Sequence, residues 1–148
     1  ILELAALLHD LGKLRVSDVI LEKKGPLNEE ERYIMDRHGF DSAMILGKIN
    51  GFKEIATLAS LHHETLDGQG YPFQKKDSEL SIEARILMLS DVFQALIQDR
   101  PYRKQLDSDA VLKILHGLLN EGKVDSSILE VIEKNIDELY AIANNHKI

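Results

Sequence analysis

Four places along the 148-residue chain combine residue types that commonly bind metal ions. They are the end of an apolar segment, the interior of a long predicted helix, the end of the following helix, and the middle of the most apolar helix: His9-Asp10, His38, His62-His63 and Asp91. Any one of them is weak evidence, because a single buried histidine is more often a hydrogen-bonded core residue than a ligand. Taken together, they favour a His/Asp metal cluster.

Asp91 is the most informative single residue, because its neighbours one helical turn away are apolar. A buried carboxylate is costly unless it is paired with a cation or bound to a metal. Arg85 and Lys104 are possible partners, and a metal ion is an equally natural one. We therefore expect Asp91 to face a compensating charge.

The chain contains no cysteine, so its metal ligands must be histidine and carboxylate side chains. Several histidines that share carboxylates suit iron, manganese, zinc or nickel better than magnesium. Coordination lowers the pKa of water from about 15.7 to about 7, which supplies a nucleophile at neutral pH. Paired ions also stabilise the attacking and leaving oxygens of an in-line phosphoryl displacement.

Three cationic side chains lie near these positions in the sequence. Lys13 follows the His9-Asp10 pair, and it can either contact a phosphate or simply stabilise a helix C-terminus through the macrodipole. Its position alone favours the second reading. Arg100 and Arg103 offer guanidinium groups that suit phosphates or guanine edges, but solvated surface arginines look the same in a sequence. Because both arginines follow Asp91 in the sequence, ligand binding and simple surface exposure are equally supported interpretations.

The composition excludes several classes of partner. The formal net charge of −7 argues against binding of polymeric nucleic acid through a basic surface, although it permits a small phosphate ligand beside bound cations. No apolar run approaches the roughly 20 residues of a membrane span, and no signal peptide is visible. We therefore expect a cytoplasmic domain without membrane contact.

The spacing of apolar residues and the capping signals predict a single all-α domain. The first helix should be buried and closed by Gly12, while the helix that carries Asp91 is apolar on nearly every side and should be central. A loop is expected over residues 66–80. Helices are predicted over residues 1–11, 17–22, 28–50, 52–64, 82–100, 107–119 and 125–143.

Three blocks of this sequence resemble the HD-GYP subgroup of the HD-domain phosphohydrolases. His9-Asp10-Leu11-Gly12-Lys13 resembles the HD-x-G-K signature. His62-His63-Glu64 followed by Asp67-Gly68-Gln69-Gly70-Tyr71-Pro72 resembles the HHE…DG-x-GYP signature. The segments 84–93 and 100–103 resemble the third block of the family. The resemblance runs in order from about Leu4 to Asp125.

The resemblance implies hydrolysis of cyclic di-GMP to the linear dinucleotide or to GMP, with two or three divalent ions of iron, manganese, nickel or zinc. It implies that Asp10 bridges two ions and that Lys13 assists at the phosphate. The implied metal ligands are His9, Asp10, His38, His62, His63 and Asp91. The residues implied to bind substrate or to shape its loop are Gly70, Tyr71, Pro72, Arg100 and Arg103.

The resemblance also sets expectations beyond this domain. Family members usually carry a further metal-binding histidine, and some a glutamate, on a helix upstream of the HD pair. We expect residues 1–148 to be an HD-GYP-like domain truncated at its N-terminus, with that helix and a receiver or sensor domain preceding it. Gln94 stands where the family usually has an aspartate, and Thr65-Leu66 where arginine and an aromatic residue are common.

Two alternative functions remain open from the sequence. One is a non-catalytic module that binds a cyclic dinucleotide or a GGDEF-domain cyclase, since the Gly-Tyr-Pro loop of this family has been linked to such cyclases. The other is an HD phosphohydrolase that acts on another nucleotide.

Overall fold

The structure is a computed structural model that describes residues 1–99 and 104–145, and these ranges are helical without any strand. The predicted all-α fold is confirmed. Two short 3-10 helices, Leu11–Arg15 and Asp77–Glu79, accompany the α-helices. Within the described ranges the α-helices are α1 (Leu2–Leu8), α2 (Asp18–Leu21), α3 (Glu29–Asp36), α4 (His38–Leu46), α5 (Lys53–Ala59), α6 (Ile82–Ile97), α7 (Ser108–Asn120), α8 (Ser126–Lys134) and α9 (Ile136–Asn145).

Helix α6 is central, as the sequence predicts, because it contributes to two hydrophobic clusters. Its first half, with Leu87, packs into the cluster that α1, α4 and α5 build. Its second half, with Phe93 and Ile97, packs against α7, α8 and α9. Asp91 therefore lies on the element that joins both parts of the core.

The predicted helix starts are explained by side-chain caps. The Asn28 carboxamide oxygen accepts the Glu31 amide at 2.8 Å, and the Glu31 carboxylate accepts the Asn28 amide at 2.8 Å. This is the reciprocal capping box expected from the sequence. At the start of α6, the Ser81 hydroxyl accepts the Ala84 amide at 3.3 Å without a reciprocal partner.

Two helices predicted as continuous are each divided in two. The prediction over residues 28–50 is wrong at Arg37, where α3 ends and α4 begins. The His38 ring binds the Met35 carbonyl, which a continuous helix would use for the amide of residue 39. The prediction over residues 125–143 is wrong at Asn135, whose side-chain amide donates to the Val131 carbonyl at 2.7 Å. Such local side-chain bonds compete with the helical pattern.

The first helix also differs from its prediction. It ends at Leu8 rather than at residue 11, and it buries only one narrow face against α5 and α6, with Ala5 at its centre. Leu7 is 79% exposed on the opposite face. Gly12 does not close the helix but lies inside the following 3-10 helix. No helix in residues 1–99 or 104–145 combines the length and the apolar character needed to cross a bilayer.

Candidate metal centre

Four segments bring the six predicted ligands to one place. His9 and Asp10 follow α1, His38 begins α4, His62 and His63 follow α5, and Asp91 lies in the middle of α6. Two groups of three have their ligand atoms within 4.8 Å of one another: His38, His62 and His63, and His9, His62 and Asp91. His62 belongs to both groups, so the two groups form one continuous cluster.

Three of the four histidines are oriented by the backbone in the same way. Each holds its Nδ1 atom 2.6–2.7 Å from the carbonyl three residues earlier, in the pairs His9–Ala6, His38–Met35 and His62–Ala59. A carbonyl oxygen can only accept a hydrogen bond, so each of these Nδ1 atoms carries the hydrogen. In the neutral ring, the lone pair on Nε2 is then directed toward the cluster, as in histidines that bind metal.

The chemistry of this donor set fits a metal ion. The Nε2 atoms of His38 and His62 lie 3.0 Å apart, and both rings are almost completely buried. Two neutral rings with hydrogen on Nδ1 present two lone pairs to each other and cannot form a hydrogen bond there. A cation between or beside them satisfies both nitrogens.

Asp10 lies between the two groups of histidines. Its Oδ1 atom is 3.4 Å from His38 Nε2 and 3.8 Å from His62 Nε2, while its Oδ2 atom is 3.5 Å from His9 Nε2. Lys13 donates to Oδ2 at 2.6 Å. The carboxylate thus faces both groups with different oxygens, which is the geometry that a bridging ligand needs.

Asp91 faces two of the histidines of the cluster. Its Oδ1 atom is 3.5 Å from His9 Nε2, and its Oδ2 atom is 4.0 Å from His63 Nδ1. His63 differs from the other histidines because it directs Nδ1, rather than Nε2, toward this carboxylate. The half-buried Asp91 is therefore compensated from within the cluster.

Arg85 was one possible partner of Asp91 in the sequence, and that reading is wrong. Its guanidinium donates to Asp125 at 2.9 Å and to the carbonyls of Leu80 and Asp77 at 3.0 and 2.7 Å. Arg85 thereby connects the end of the 66–80 loop to the start of α8. Lys104, the other possible partner, is exposed.

The protonation states of His62, His63 and Asp10 are those that bind metal. Burial and the charge of His63 lower the pKa of His62 to about 3, and burial and the charge of His38 lower the pKa of His63 to about 4. Burial raises the pKa of Asp10, but the hydrogen bond and charge of Lys13 outweigh it and leave the pKa below its ordinary value. Metal ligands of these types must be neutral imidazoles and ionised carboxylates.

His9 and Asp91 form a coupled pair within this pattern. Burial lowers the pKa of His9, but the hydrogen bond to Asp91, with further contributions from Ala6 and Asp10, outweighs it and raises the pKa. Burial likewise opposes ionisation of Asp91, and the contact with His9 overcomes it, so its pKa is lowered. In the absence of a metal ion, the pair favours a charged imidazole beside a charged carboxylate.

The Gly-Tyr-Pro stretch lies beside the cluster. The Tyr71 ring packs on His63 with centroids 4.7 Å apart, and the Tyr71 amide donates to the His63 carbonyl at 3.2 Å. A Cβ on Gly70 would lie 2.5 Å from the Glu64 Cα atom and from the His63 carbonyl oxygen, so only glycine fits. Pro72, which follows a cis peptide bond, packs near Gly39 at the start of α4.

Glu64 is a buried carboxylate that the sequence did not single out as functional. It is fully buried and accepts the backbone amides of Phe73 and Lys75 at 2.6 and 2.8 Å. These bonds attach the loop after Pro72 to the segment that carries His62 and His63. Its position directly after two adjacent histidines was the available signal.

Other residues considered in the sequence fall elsewhere. His116 is exposed and pairs with Glu133. Gln94 is exposed on α6, one turn after Asp91. Arg100 and Arg103 lie outside the described residues.

The all-helical fold and the His/Asp cluster indicate a metal-binding domain. Sequence comparison identifies its family. The HD domain family matches residues 1–128, so the chain belongs to the HD-domain family. The predicted resemblance to its HD-GYP subgroup is confirmed.

Curated relatives resemble this chain along most of its length. The 3′3′-cGAMP-specific phosphodiesterase 1 of Vibrio cholerae serotype O1 is 38% identical over 142 residues, which cover 96% of this chain and 33% of the relative. The cyclic di-GMP phosphodiesterase response regulator RpfG of Xanthomonas campestris pv. campestris is 41% identical over 120 residues, covering 78% and 31%. A cyclic di-GMP phosphodiesterase of Thermotoga maritima is 35% identical over 144 residues, covering 94% and 39%. The chain thus spans about a third of the length of these relatives.

Proposed function

We propose that this domain is a metal-dependent phosphodiesterase that hydrolyses a cyclic dinucleotide to the linear dinucleotide or to GMP. Cyclic di-GMP is the leading candidate for the substrate. The observation that carries the proposal is the convergence of six His and Asp side chains from four segments into one cluster. The names of the relatives support the choice of substrate, since they denote phosphodiesterases for cyclic di-GMP and 3′3′-cGAMP.

The six side chains offer enough donors for two divalent ions, of iron, manganese, nickel or zinc. One ion would be held on the side of His38, His62 and His63, and the other on the side of His9 and Asp91, with Asp10 shared between them. A third ion would need a histidine or glutamate from a preceding helix, which remains an expectation from the family. Bound ions would supply an activated water and stabilise the charge of the transferred phosphoryl group.

The remaining site residues have proposed roles in binding and positioning. Lys13 keeps Asp10 ionised through its 2.6 Å contact, and its partly exposed ammonium group is available to a phosphate oxygen. Tyr71, held on His63 by Gly70 and Pro72, offers an aromatic face to the substrate at the edge of the cluster. Arg100 and Arg103 are proposed to bind phosphate or guanine on the grounds of the family resemblance.

The regulatory setting follows from the same family. We expect an upstream receiver or sensor domain to control the site, and GGDEF-domain cyclases to be possible protein partners. The cytoplasmic location also remains a prediction.

A substrate panel tests the proposal. The full-length protein is loaded with Mn²⁺, Fe²⁺ or Ni²⁺ and incubated with cyclic di-GMP, 3′3′-cGAMP or a nucleoside triphosphate, and the products are separated by chromatography. We expect the cyclic dinucleotides to be hydrolysed and the Asp10→Asn variant to be inactive. Faster hydrolysis of the triphosphate would favour a different HD phosphohydrolase, and binding without hydrolysis would favour a non-catalytic module.

A further inference from the structure

A buried serine hydroxyl connects two of the segments that form the metal centre. Ser42, on α4, is 0% exposed. Its Oγ atom donates to the His9 carbonyl at 2.6 Å and accepts the Gly12 amide at 2.8 Å. One hydroxyl therefore satisfies backbone groups on both sides of the His9–Gly12 turn, which carries Asp10 between them.

The backbone of this turn approaches α4 closely at the same point. A Cβ on Gly12 would lie 1.9 Å from the His38 carbonyl oxygen and 2.7 Å from the Ser42 amide nitrogen. His38 begins α4, and Ser42 follows it by four residues, about one helical turn. The hydroxyl thus lies where the segment with His9 and Asp10 meets the helix with His38.

We propose that Ser42 is a positioning residue that sets the placement of His9 and Asp10 relative to His38 and thereby tunes the metal centre. The inference rests on the proposed function, because it assumes that these three side chains bind metal. The distance it concerns is the 3.4 Å between Asp10 Oδ1 and His38 Nε2. A hydroxyl suits this role because it can donate and accept at once, whereas a methyl group can do neither.

Removing the hydroxyl would leave the His9 carbonyl and the Gly12 amide without this partner in a buried position. A buried polar group that loses its partner is costly, and the backbone shifts to find another. A shift of this turn moves Asp10, whose two oxygens face different histidines. Loss of a partner that hydrogen-bonds a ligating group directly typically weakens metal affinity by about 10- to 100-fold, and we expect displacement of Asp10 through the backbone to act within this range.

An isosteric pair of variants isolates the hydroxyl. Ser42→Thr and Ser42→Val add the same bulk to the same buried position, but only threonine keeps the hydroxyl. Both variants and the wild type are stripped of metal and titrated with Co²⁺, with affinity and the visible absorption spectrum as the readouts. Val111→Ala, in the hydrophobic cluster of α6 to α9, is the control for a general loss of stability.

We expect Ser42→Val to bind Co²⁺ about 10- to 100-fold more weakly than Ser42→Thr and to show an altered spectrum. Val111→Ala should keep the wild-type affinity and spectrum even if it unfolds at a lower temperature. Equal affinities and spectra for the valine and threonine variants would overturn the inference while leaving the proposed function intact. A wild-type protein that binds no Co²⁺ would overturn both.

Discussion

The imidazole rings of His38 and His62 face each other with their Nε2 atoms 3.0 Å apart, although each ring donates from Nδ1 to a backbone carbonyl. The two facing nitrogens are acceptors in the neutral rings, so their proximity is unfavourable without a cation. Burial removes the water that would otherwise relieve this contact. A positive charge at this point would relieve the contact between the two nitrogens.

Metal binding should therefore stabilise the fold. An ion that binds only the folded state adds about 2.7 kcal/mol to the free energy of unfolding at a concentration one hundred times its Kd. We expect Mn²⁺ to raise the melting temperature of the metal-free protein in a concentration-dependent way. The variant His116→Ala, at an exposed position, should respond like the wild type. A melting temperature that does not change with any divalent ion tested would contradict the metal centre.

The two groups of ligands predict an order of severity among histidine variants. His62 belongs to both groups, whereas His9 belongs to one. We expect His62→Gln to lose more bound metal than His9→Gln when metal per chain is measured by elemental analysis after loading and dialysis. The reverse order would contradict the shared position of His62.

The pH dependence of the metal-free protein follows from the two lowered histidine pKa values. The pKa is about 3 for His62 and about 4 for His63, against 6.5 for an unperturbed histidine. Between pH 6.5 and about 4, the unfolded chain binds protons at these positions that the folded protein does not. The free energy of unfolding should therefore fall as the pH is lowered through this window, by up to about 1.4 kcal/mol per pH unit and histidine.

Urea unfolding in the presence of a chelator at several pH values between 7 and 4.5 measures this slope. The pKa of His9 is raised, so its effect on the free energy of unfolding has the opposite sign. It lowers that free energy as the pH rises above 6.5. The His63→Gln variant lacks one of the two titrating groups and should show a shallower slope than the wild type. Identical slopes would show that His63 is not held neutral by the fold.

Glu64 should control the loop that carries Tyr71. Replacement by glutamine removes a charged acceptor from two backbone amides, a loss that we expect to cost about 2 kcal/mol in urea unfolding. The loosened loop should raise KM for the cyclic dinucleotide more than it lowers kcat. The matched control is Glu79→Gln near the other end of the loop, where the carboxylate is exposed and the cost should be smaller. Equal effects of the two variants would contradict a specific role of Glu64 in holding the loop that carries Tyr71.

Gly70 and Gly117 should respond in opposite directions to alanine. At Gly70 the added methyl group meets three backbone atoms at 2.5 Å, and they cannot move independently. At Gly117, inside α7, it meets nothing within 4 Å. We expect Gly70→Ala to lower the melting temperature and Gly117→Ala to raise the free energy of unfolding by about 0.5–1 kcal/mol. Stabilisation by both substitutions would show that the Gly70 site is not tightly packed.

The sequence was most informative where local chemistry determines the outcome. The capping box of Asn28 and the N-cap of Ser81 are short-range signals, and both form as predicted. The sequence also indicated that His9, Asp91 and the other four predicted ligands would lie close together. An aspartate in an apolar helix needs partners, and only a few other residues can supply them.

The sequence was less informative where side chains compete with the backbone or meet across the fold. Each of the breaks, at Arg37 and at Asn135, is accompanied by a side-chain bond to a backbone carbonyl, which helix periodicity does not register. No local signal in the sequence marks Ser42, since its partners are 30 and 33 residues away. Arg85 looked like a partner for Asp91, but it is bound by groups that only the folded chain brings together.

The most direct test of the phosphodiesterase metal centre is to titrate the metal-free, full-length protein with Mn²⁺ while measuring bound metal and hydrolysis of cyclic di-GMP in the same samples. We expect hydrolysis to appear in step with metal occupancy and to be absent from Asp10→Asn. Stoichiometric metal binding without hydrolysis of cyclic di-GMP or 3′3′-cGAMP, repeated with Fe²⁺ and Ni²⁺, would contradict the proposed function.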